Sequence, residues 1–379
     1  MGYLRLPVQL ALRLLTHEKR RLAACVGGIG FALVLMLLQM GFRDALLNSA
    51  VQLLRQLDAD VIVIDKEKRP FLARKSIPRE RLYQALSVPG VVEANPAWTG
   101  LQRWRNHASN TLHPIRIMGM DPDKRTFLLE GLDGLREKLK QPSTGIVDQR
   151  SRSSYGELNP DPAQIGHDLV EIVGGVELGT DFEVDGTLFV SEETYYRLTG
   201  AQRSHIEMAL VKLEPNADPD AVSLALNRTL PTDVRAFTKE ALIERDLNYW
   251  KTGTPISIIL LIGVSLGMLV GIIICYQVLY TEVLDHLPEF ATLKAMGYRS
   301  RYLETVVLLE AIILSALAVV PAIAISMGLL ALLGWMSGLS TGLSPADMAT
   351  VLCLSLGMSC FSAILALGKI RRLEPAELF

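Results

Sequence analysis

Four stretches of this sequence contain no Asp, Glu, Lys or Arg: 22–42, 252–281, 311–346 and 348–368. Each has room for about 20 predominantly apolar residues, enough for a helix rising about 1.5 Å per residue to cross a hydrocarbon core of roughly 30 Å. A backbone in that core finds no water to bond, so each stretch is committed to helix. Composition agrees: half of the 379 residues are hydrophobic (50%), only 21% are charged, and the mean hydropathy is +0.28. The first stretch follows Arg5, Arg13, Lys19, Arg20 and Arg21, as the core of a secretion signal would. Its apolar run is too long for that, and "LLQMGFRDALL" offers no small-residue cleavage site, so it reads as an uncleaved anchor.

Basic residues set the expected orientation. The N-terminal stretch carries the five just named, the segment between the second and third spans carries Lys294, Arg299 and Arg301, and the tail carries Lys369, Arg371 and Arg372. The loop between the third and fourth spans carries none. Both termini are therefore expected in the cytoplasm and the long 43–253 segment outside. Its 27 basic and 31 acidic residues do not contest this, because long domains translocate largely regardless of charge.

The expected organisation is a cytoplasmic amphipathic helix at 1–21, spans at 22–42, 254–281, 304–334 and 348–368, an extracytoplasmic domain at 43–253, a cytoplasmic helix at 282–303, a short outer loop at 335–347 and a cytoplasmic tail at 369–379. Leu6, Leu10, Arg13, Leu14 and His17 share a helical face ahead of the first span, as in an interfacial helix lying on lipid. Beyond that span, Leu46, Ala50, Leu53 and Leu57 continue a helical face, and "FTKEALIERDLNYWKTGTP" leads into the second. The two read either as a two-helix stalk or as separate amphipathic segments folded into the domain.

Between them, strands are expected at 60–65, 112–120, 169–178, 186–191 and 206–215, and helices at 79–87 and 218–230, the latter with Asp218 as cap and Pro219 in its first position. The domain is classed as α+β. The loop-rich stretch 142–162 is a plausible seam between subdomains. Charge is uneven: 66–152 has 17 basic and 9 acidic residues, whereas 157–246 has 7 and 18. Two faces of opposite sign or an ordinary solvated surface both fit. All four cysteines, Cys25, Cys275, Cys353 and Cys360, fall within spans, so the outer domain has no disulfide framework.

Catalytic signatures are missing. The sequence has no G-x-x-x-x-G-K-[ST] loop for cradling nucleotide phosphates, no H-E-x-x-H and no Cys-x-x-Cys, and its six histidines lack metal-ligand spacing. The chain is expected to be non-catalytic, with no catalytic residue, cofactor or metal of its own. Glu310 is the one ionisable residue well inside an apolar stretch, with a packing or gating role at best. Gly263, Gly267 and Gly271, spaced by four, form a small-residue face that lets helix backbones approach closely, within one chain or between two. Pro321 should bend the third span.

Between the second and third spans lies "DHLPEFATLKAMGYRSR". Asp285 stands where an N-cap belongs, Pro288 falls in the first turn, and Gly297 follows the last periodic residue. Leu287, Phe290, Ala291 and Leu293 form an apolar side. By pattern alone this is either a hairpin linker or a protein contact.

The segment resembles the coupling helix of MacB-type and FtsX-type ABC transporter permeases, approximately E-x-x-x-L-K-A-x-G, matched here by Glu289, Leu293, Lys294, Ala295 and Gly297. Similarity extends to "LLEAIILS" and to "KIRRLEPAELF", and "LTHEKRRLAACVGGIGFALVLMLLQMGFRDALLNSA" with "DHLPEFATLKAMGYRSRYLE" resembles the DevC-like members most. In the outer domain it is carried by length and by "DQRSRSSYG" alone.

The resemblance implies a four-span membrane protein bearing a large α+β domain on a two-helix stalk. It implies a permease homodimer, a separate DevA-like ATPase that binds ATP and Mg and docks on the coupling helix, a DevB-like periplasmic membrane-fusion protein, and indirectly a TolC-like outer-membrane channel. The cargo would be a lipid, a glycolipid in DevC-like systems. Lipoprotein release and FtsX-like force transmission to a periplasmic partner are alternatives, and no nucleic-acid partner is expected.

Overall fold

The computed structural model describes residues 19–159, 162–181, 183–286, 288, 292, 296, 300–339 and 341–370. The expected interfacial helix before residue 19 and the tail after residue 370 lie outside them. In chain order the elements are α1 (Lys19–Arg55), β1 (Val61–Asp65), β2 (Ile77–Pro78), α2 (Glu80–Ala85), β3 (Val91–Arg105), β4 (Leu112–Met120), β5 (Thr144–Asp148), β6 (Ala163–Ile165), β7 (Asp168–Val176), β8 (Thr187–Ser191), α3 (Glu192–Thr199), β9 (His205–Ile206), β10 (Met208–Leu213), α4 (Pro219–Thr229), β11 (Val234–Thr238), α5 (Lys239–Thr252), α6 (Pro255–Asp285), α7 (Ser300–Ser337) and α8 (Pro345–Ile370). They form two compact units: Met1–Asp44, Pro255–Leu333 and Thr341–Phe379 make one, and Ala45–Thr254 with Gly334–Ser340 the other.

Among the described residues, four helices are long and apolar enough to cross a membrane: α1, α6, α7 and α8. Local chemistry sets their ends. At the start of α8 the Ser344 hydroxyl accepts the Asp347 amide at 3.1 Å, while the Asp347 carboxylate accepts the Ser344 amide at 3.1 Å and its hydroxyl at 2.7 Å. This reciprocal cap, with Pro345 in the first helical position, satisfies amides that would otherwise lack partners. The third span runs from Ser300 to Ser337 as a single helix that contains Pro321.

The second unit is built on a nine-stranded sheet of order β11-β1-β10-β3-β4-β8-β5-β7-β6. Its first four strands, joined through α2 and α4, form a split β-α-β arrangement in which every pairing is antiparallel. The chain between β3 and β10 builds the rest. There β6 returns to β3, pairing Ile165 with Trp104, so that β3-β4-β8-β5-β7-β6 close on themselves as a small barrel. The fifteen-residue β3 belongs to both halves: residues 91–97 pair with β10 and 97–105 with β4.

Alternation along the strands feeds two cores. Val61 and Val63 of β1 point to one face, with Ala209 and Val211 of β10, under α2 and α4. Ile62 and Ile64 point to the other with Met208 and Leu210, and that face is covered by Leu53, Leu54 and Leu57 at the end of α1 and by Leu242 of α5. Burial on both sides explains why "VIVI" and "MALV" are continuous apolar runs rather than alternating ones. The amphipathic segments flanking the domain thus pack into it. The first is continuous with α1, whereas α5 ends at Thr252 and α6 begins anew at Pro255.

The strands expected near 60–65, 112–120, 169–178, 186–191 and 206–215 and the helices near 79–87 and 218–230 are present, the last with the Asp218 carboxylate accepting the Asp220 amide. Sequence reading omits β2, β3, β5, β6, β11 and α3. It also takes 142–162 for a seam, but Thr144–Asp148 within it is a fully buried barrel strand. A five-residue strand with only Ile146 and Val147 as large apolar residues, framed by Pro, Ser and Gln, has no period to betray it. In β3, Pro96 argues against a central strand. It is tolerated because pairing with β4 begins only at Ala97, leaving that side of Pro96 open.

Barrel closure rests on Trp104, 1% exposed, whose indole N–H donates to the Tyr155 carbonyl at 3.1 Å. Trp104→Ala should destabilise the outer domain by about 3–5 kcal/mol, whereas Leu101→Ala on the exposed side of the same strand should cost under about 1 kcal/mol. Thermal unfolding of the purified full chain followed by intrinsic fluorescence checks this; equal midpoints for the two variants would contradict it.

Candidate functional site

In the helical unit, α1 and α6 run antiparallel along a seam of small residues. A Cβ placed on Gly263 would meet the Gln39 side chain at 2.7 Å; on Gly267, the Met36 Cγ at 2.9 Å; on Gly271, the Met358 Sδ at 2.6 Å and the Ala32 Cβ at 3.2 Å. Gly28 continues it from the other side, 2.9 Å from the Ile274 Cγ2 on the same basis. The three glycines are therefore contacts within one chain: each removes a side chain where a neighbour comes close.

Polar groups hold α8 to its neighbours. Ser355 shares a hydrogen bond with Ser315 of α7, the Ser362 hydroxyl donates to the Ile272 carbonyl at 3.0 Å, and Cys275 of α6 lies 3.7 Å from the Ser359 hydroxyl. Sequence reading passes over these serines. Their signal is the spacing 355, 359, 362 on one helical face of an apolar segment, the pattern expected of hydrogen-bonding contacts between membrane helices. Glu310 is 1% exposed on α7, on the side that carries Val307, Ala311 and Leu314 into the bundle core.

Of the expected coupling-helix residues, Glu289, Phe290, Leu293, Lys294, Ala295 and Gly297 lie outside the described residues. Asp285 is described and is the last residue of α6. One turn earlier Glu282, 5% exposed, faces the His286 ring at 3.5 Å.

The second unit contains a junction where three parts of the chain meet at Leu178–Gly179–Thr180. Asp148, at the end of β5 and fully buried, accepts the amides of Leu178 and Gly179 at 2.9 Å each and of Arg150 at 3.0 Å. Burial pushes its carboxyl above the usual carboxylate range, and these amide donors pull it back. From one side Gln52 of α1 donates to the Leu178 carbonyl. From the other, the carbonyl of Ser337, the last residue of α7, accepts from Thr180 at 3.2 Å and Arg152 at 3.4 Å. Gly338 follows with φ of +74°, and a Cβ there would sit 3.0 Å from the Thr180 hydroxyl. Glycine alone fits both the left-handed turn and the close approach.

A strap at residues 66–76 ties α5 to the sheet. Both oxygens of Asp246 accept the Phe71 amide at 3.0 Å, and Arg245 donates to the Lys68 carbonyl at 2.7 Å. Lys68, with no exposed surface, donates to Glu207 at 2.9 Å and to the Lys75 carbonyl at 3.2 Å. Burial lowers the Lys68 pKa, and Glu207 partly restores it. Burial raises Asp246 to about 6.

Comparison with known proteins gives a consistent result. Residues 22–229 match the MacB-like periplasmic core domain and residues 256–375 the FtsX-like permease C-terminal family. An uncharacterized ABC transporter permease of Mycobacterium tuberculosis is 22% identical over 374 residues, covering 97% of this chain and 98% of that one. Another from Mycobacterium bovis is 24% identical over 315 residues, 82% of each chain. Among solved structures, the periplasmic region of MacB from Actinobacillus actinomycetemcomitans aligns with a TM-score of 0.36 at 10% identity, covering 50% of this chain and 94% of that one. The extracellular domain of the transporter YknZ from Gram-positive bacteria aligns with a TM-score of 0.32 at 11% identity, covering 48% and 99%.

Two outcomes follow from this geometry. Gly267→Leu should overpack the α1–α6 seam and cost about 1–3 kcal/mol, whereas Gly357→Leu, with nothing within 4 Å of its added Cβ, should be nearly neutral in thermal unfolding. For Asp246, a folded pKa of about 6 lies above the ordinary aspartate range of about 4, so its contribution is most favourable below that range and is lost as pH rises through about 6. The stability of the wild type relative to Asp246→Asn should therefore fall between about pH 4 and pH 7. Unfolding midpoints across that range check it, and a difference that stays constant or rises would refute it.

Proposed function

The chain belongs to the family with a MacB-like periplasmic core domain, and on that premise we propose that it couples ATP hydrolysis on a separate ATPase chain to movement of this domain. It is an ABC transporter permease of the MacB and FtsX type, a membrane protein with a periplasmic domain. In the proposed orientation both termini face the cytoplasm, the 282–303 segment docks the ATPase, and two permease chains work as a pair. ATP and Mg bind the partner. Closure of the ATPase pair displaces the membrane helices, and the outer domain drives a lipid-like cargo, a glycolipid in the DevC-type reading, toward a membrane-fusion adaptor and an outer-membrane channel.

The observation that carries this reading is the junction at Leu178–Thr180. A buried carboxylate fixes a loop that is gripped by α1 through Gln52 and by the end of α7 through Ser337. Two of the membrane-crossing helices thus extend into, or lead directly into, contacts with a single barrel loop. Displacement of either reaches the barrel through hydrogen-bonded, close-packed groups, which transmit strain because interiors are nearly incompressible. No atom of this arrangement needs to react. Its work is mechanical.

The match of 256–375 to the FtsX-like family also favours a second reading, in which the same junction transmits force to a periplasmic enzyme or releases a lipoprotein and no cargo is exported. The proteins retained by the outer face of the purified permease distinguish these: an adaptor supports export, and a cell-wall hydrolase or a lipoprotein supports the alternative.

Coupling and transmission separate by mutation. Glu289→Ala and Gly297→Val should reduce copurification of the ATPase while leaving membrane insertion intact. Asp148→Ala should leave ATPase recruitment at the wild-type level and uncouple export from hydrolysis. Full ATPase recruitment by both coupling-segment variants would remove the docking role, and normal export by the Asp148 variant would remove the junction from the mechanism.

A further inference from the structure

Three arginines gather where the strap meets α5, and none has a carboxylate within ion-pair distance among the described residues: Arg69, Arg235 and Arg245. Arg69 and Arg235 are exposed. Arg245 is half-buried, its guanidinium 4.5 Å from the centre of the Phe237 ring, and Arg235 lies 5.9 Å from the same ring. The Arg245 Nε is buried without a hydrogen-bond partner, while its Nη2 donates to the Lys68 carbonyl. Burial disfavours the charge of Arg245. Asp246 supports it, and Arg69 and Arg235 oppose it further.

Beside these groups is a cleft of about 330 Å³, lined by Arg69, Arg245, Asp246, Asn248, Tyr249 and Thr252. The one carboxylate in it is already committed: both Asp246 oxygens accept the Phe71 amide. Two guanidinium groups in the lining and Arg235 beside it, against one carboxylate, leave a surplus of positive charge, and the buried Arg245 Nε without a partner adds an unmet demand for an acceptor. An oxyanion with several acceptor oxygens satisfies both. Arginine forks match the oxygens of a phosphate in pairs.

The source of that phosphate follows from the chain itself. The cleft is lined by the last residues of α5, and α6, one of the helices long enough to cross a membrane, begins at Pro255, three residues after Thr252. Tyr249 and Trp250, packed edge to face with ring centres 5.3 Å apart, sit in the same turn, and aromatic residues of this kind concentrate at the headgroup level of a bilayer. A headgroup phosphate lies at that depth, at high local concentration.

We propose that this cleft binds the phosphate of an anionic phospholipid headgroup, held by Arg69 and Arg245, with Arg235 beside the cleft adding positive charge. The bound lipid ties the strap and the base of α5 to the outer leaflet. This inference requires only that the chain crosses a membrane and is independent of what it exports, so it stands or falls apart from the export reading.

The test uses the full chain in detergent micelles doped with phosphatidylglycerol or with phosphatidylcholine, and native mass spectrometry to count retained lipid. Wild type should retain phosphatidylglycerol in preference to phosphatidylcholine. The Arg69→Gln/Arg235→Gln variant, altered at two exposed side chains, should hold phosphatidylglycerol about tenfold more weakly, equivalent to about 1.4 kcal/mol. Arg228→Gln, an exposed arginine on α4, should match wild type and control for loss of bulk charge. Equal retention by the double variant and wild type overturns the proposal. Inorganic phosphate that displaces the lipid at equal concentration also overturns it, since the cleft would then serve a soluble anion.

Discussion

A backbone amide in hydrocarbon has no water to turn to, and an unsatisfied one costs several kcal/mol. That constraint shapes the helical unit. It forces the four apolar stretches into continuous helix and leaves only side chains to decide how the helices meet. Because lipid tails are as apolar as leucine, burial gives little reason for the helices to associate, and close packing and hydrogen bonding must supply it. The seam in which Gly271 faces Ala32 and Gly267 faces Met36 provides the first. The serines of α8 provide the second, reaching both α6 and α7.

In water the constraint is reversed. The outer domain gains from burying apolar surface, and it does so on both faces of one sheet. The long strand β3 makes this possible, since it is a sheet strand at one end and a barrel stave at the other. A change in its tilt cannot be confined to either half. The domain has two packed cores that share a wall, so it is suited to moving as a body rather than deforming by degrees.

Charge placement fits the same picture. The buried groups Asp148, Lys68 and Asp246 do not converge on a substrate-sized site. Each instead fixes a loop against a neighbouring element: the barrel junction, the strap and the base of α5. Isolated buried charges weaken a fold unless hydrogen bonds compensate them, and here backbone amides, backbone carbonyls and Glu207 do so. What results is definition of geometry at the places where the domain meets the segments leading to and from the helices.

Local pattern accounts for a particular share of this. The apolar windows, the Asp218 cap with Pro219, the alternating strand at 112–120 and the glycine spacing in α6 are all legible residue by residue, because each depends on neighbours a few positions away. The sequence alone therefore determined that the chain is a four-helix membrane protein with a large α+β domain. The tertiary structure alone decided that β3 passes through Pro96, that β5 is a barrel stave rather than a seam, that Trp104 meets Ile165 to close the barrel, and that Gly271 faces Ala32 of its own chain. These are pairings between residues far apart in the chain. Their energy lies in registers and contact surfaces that exist only once both partners are in place, so no short window of sequence can carry them.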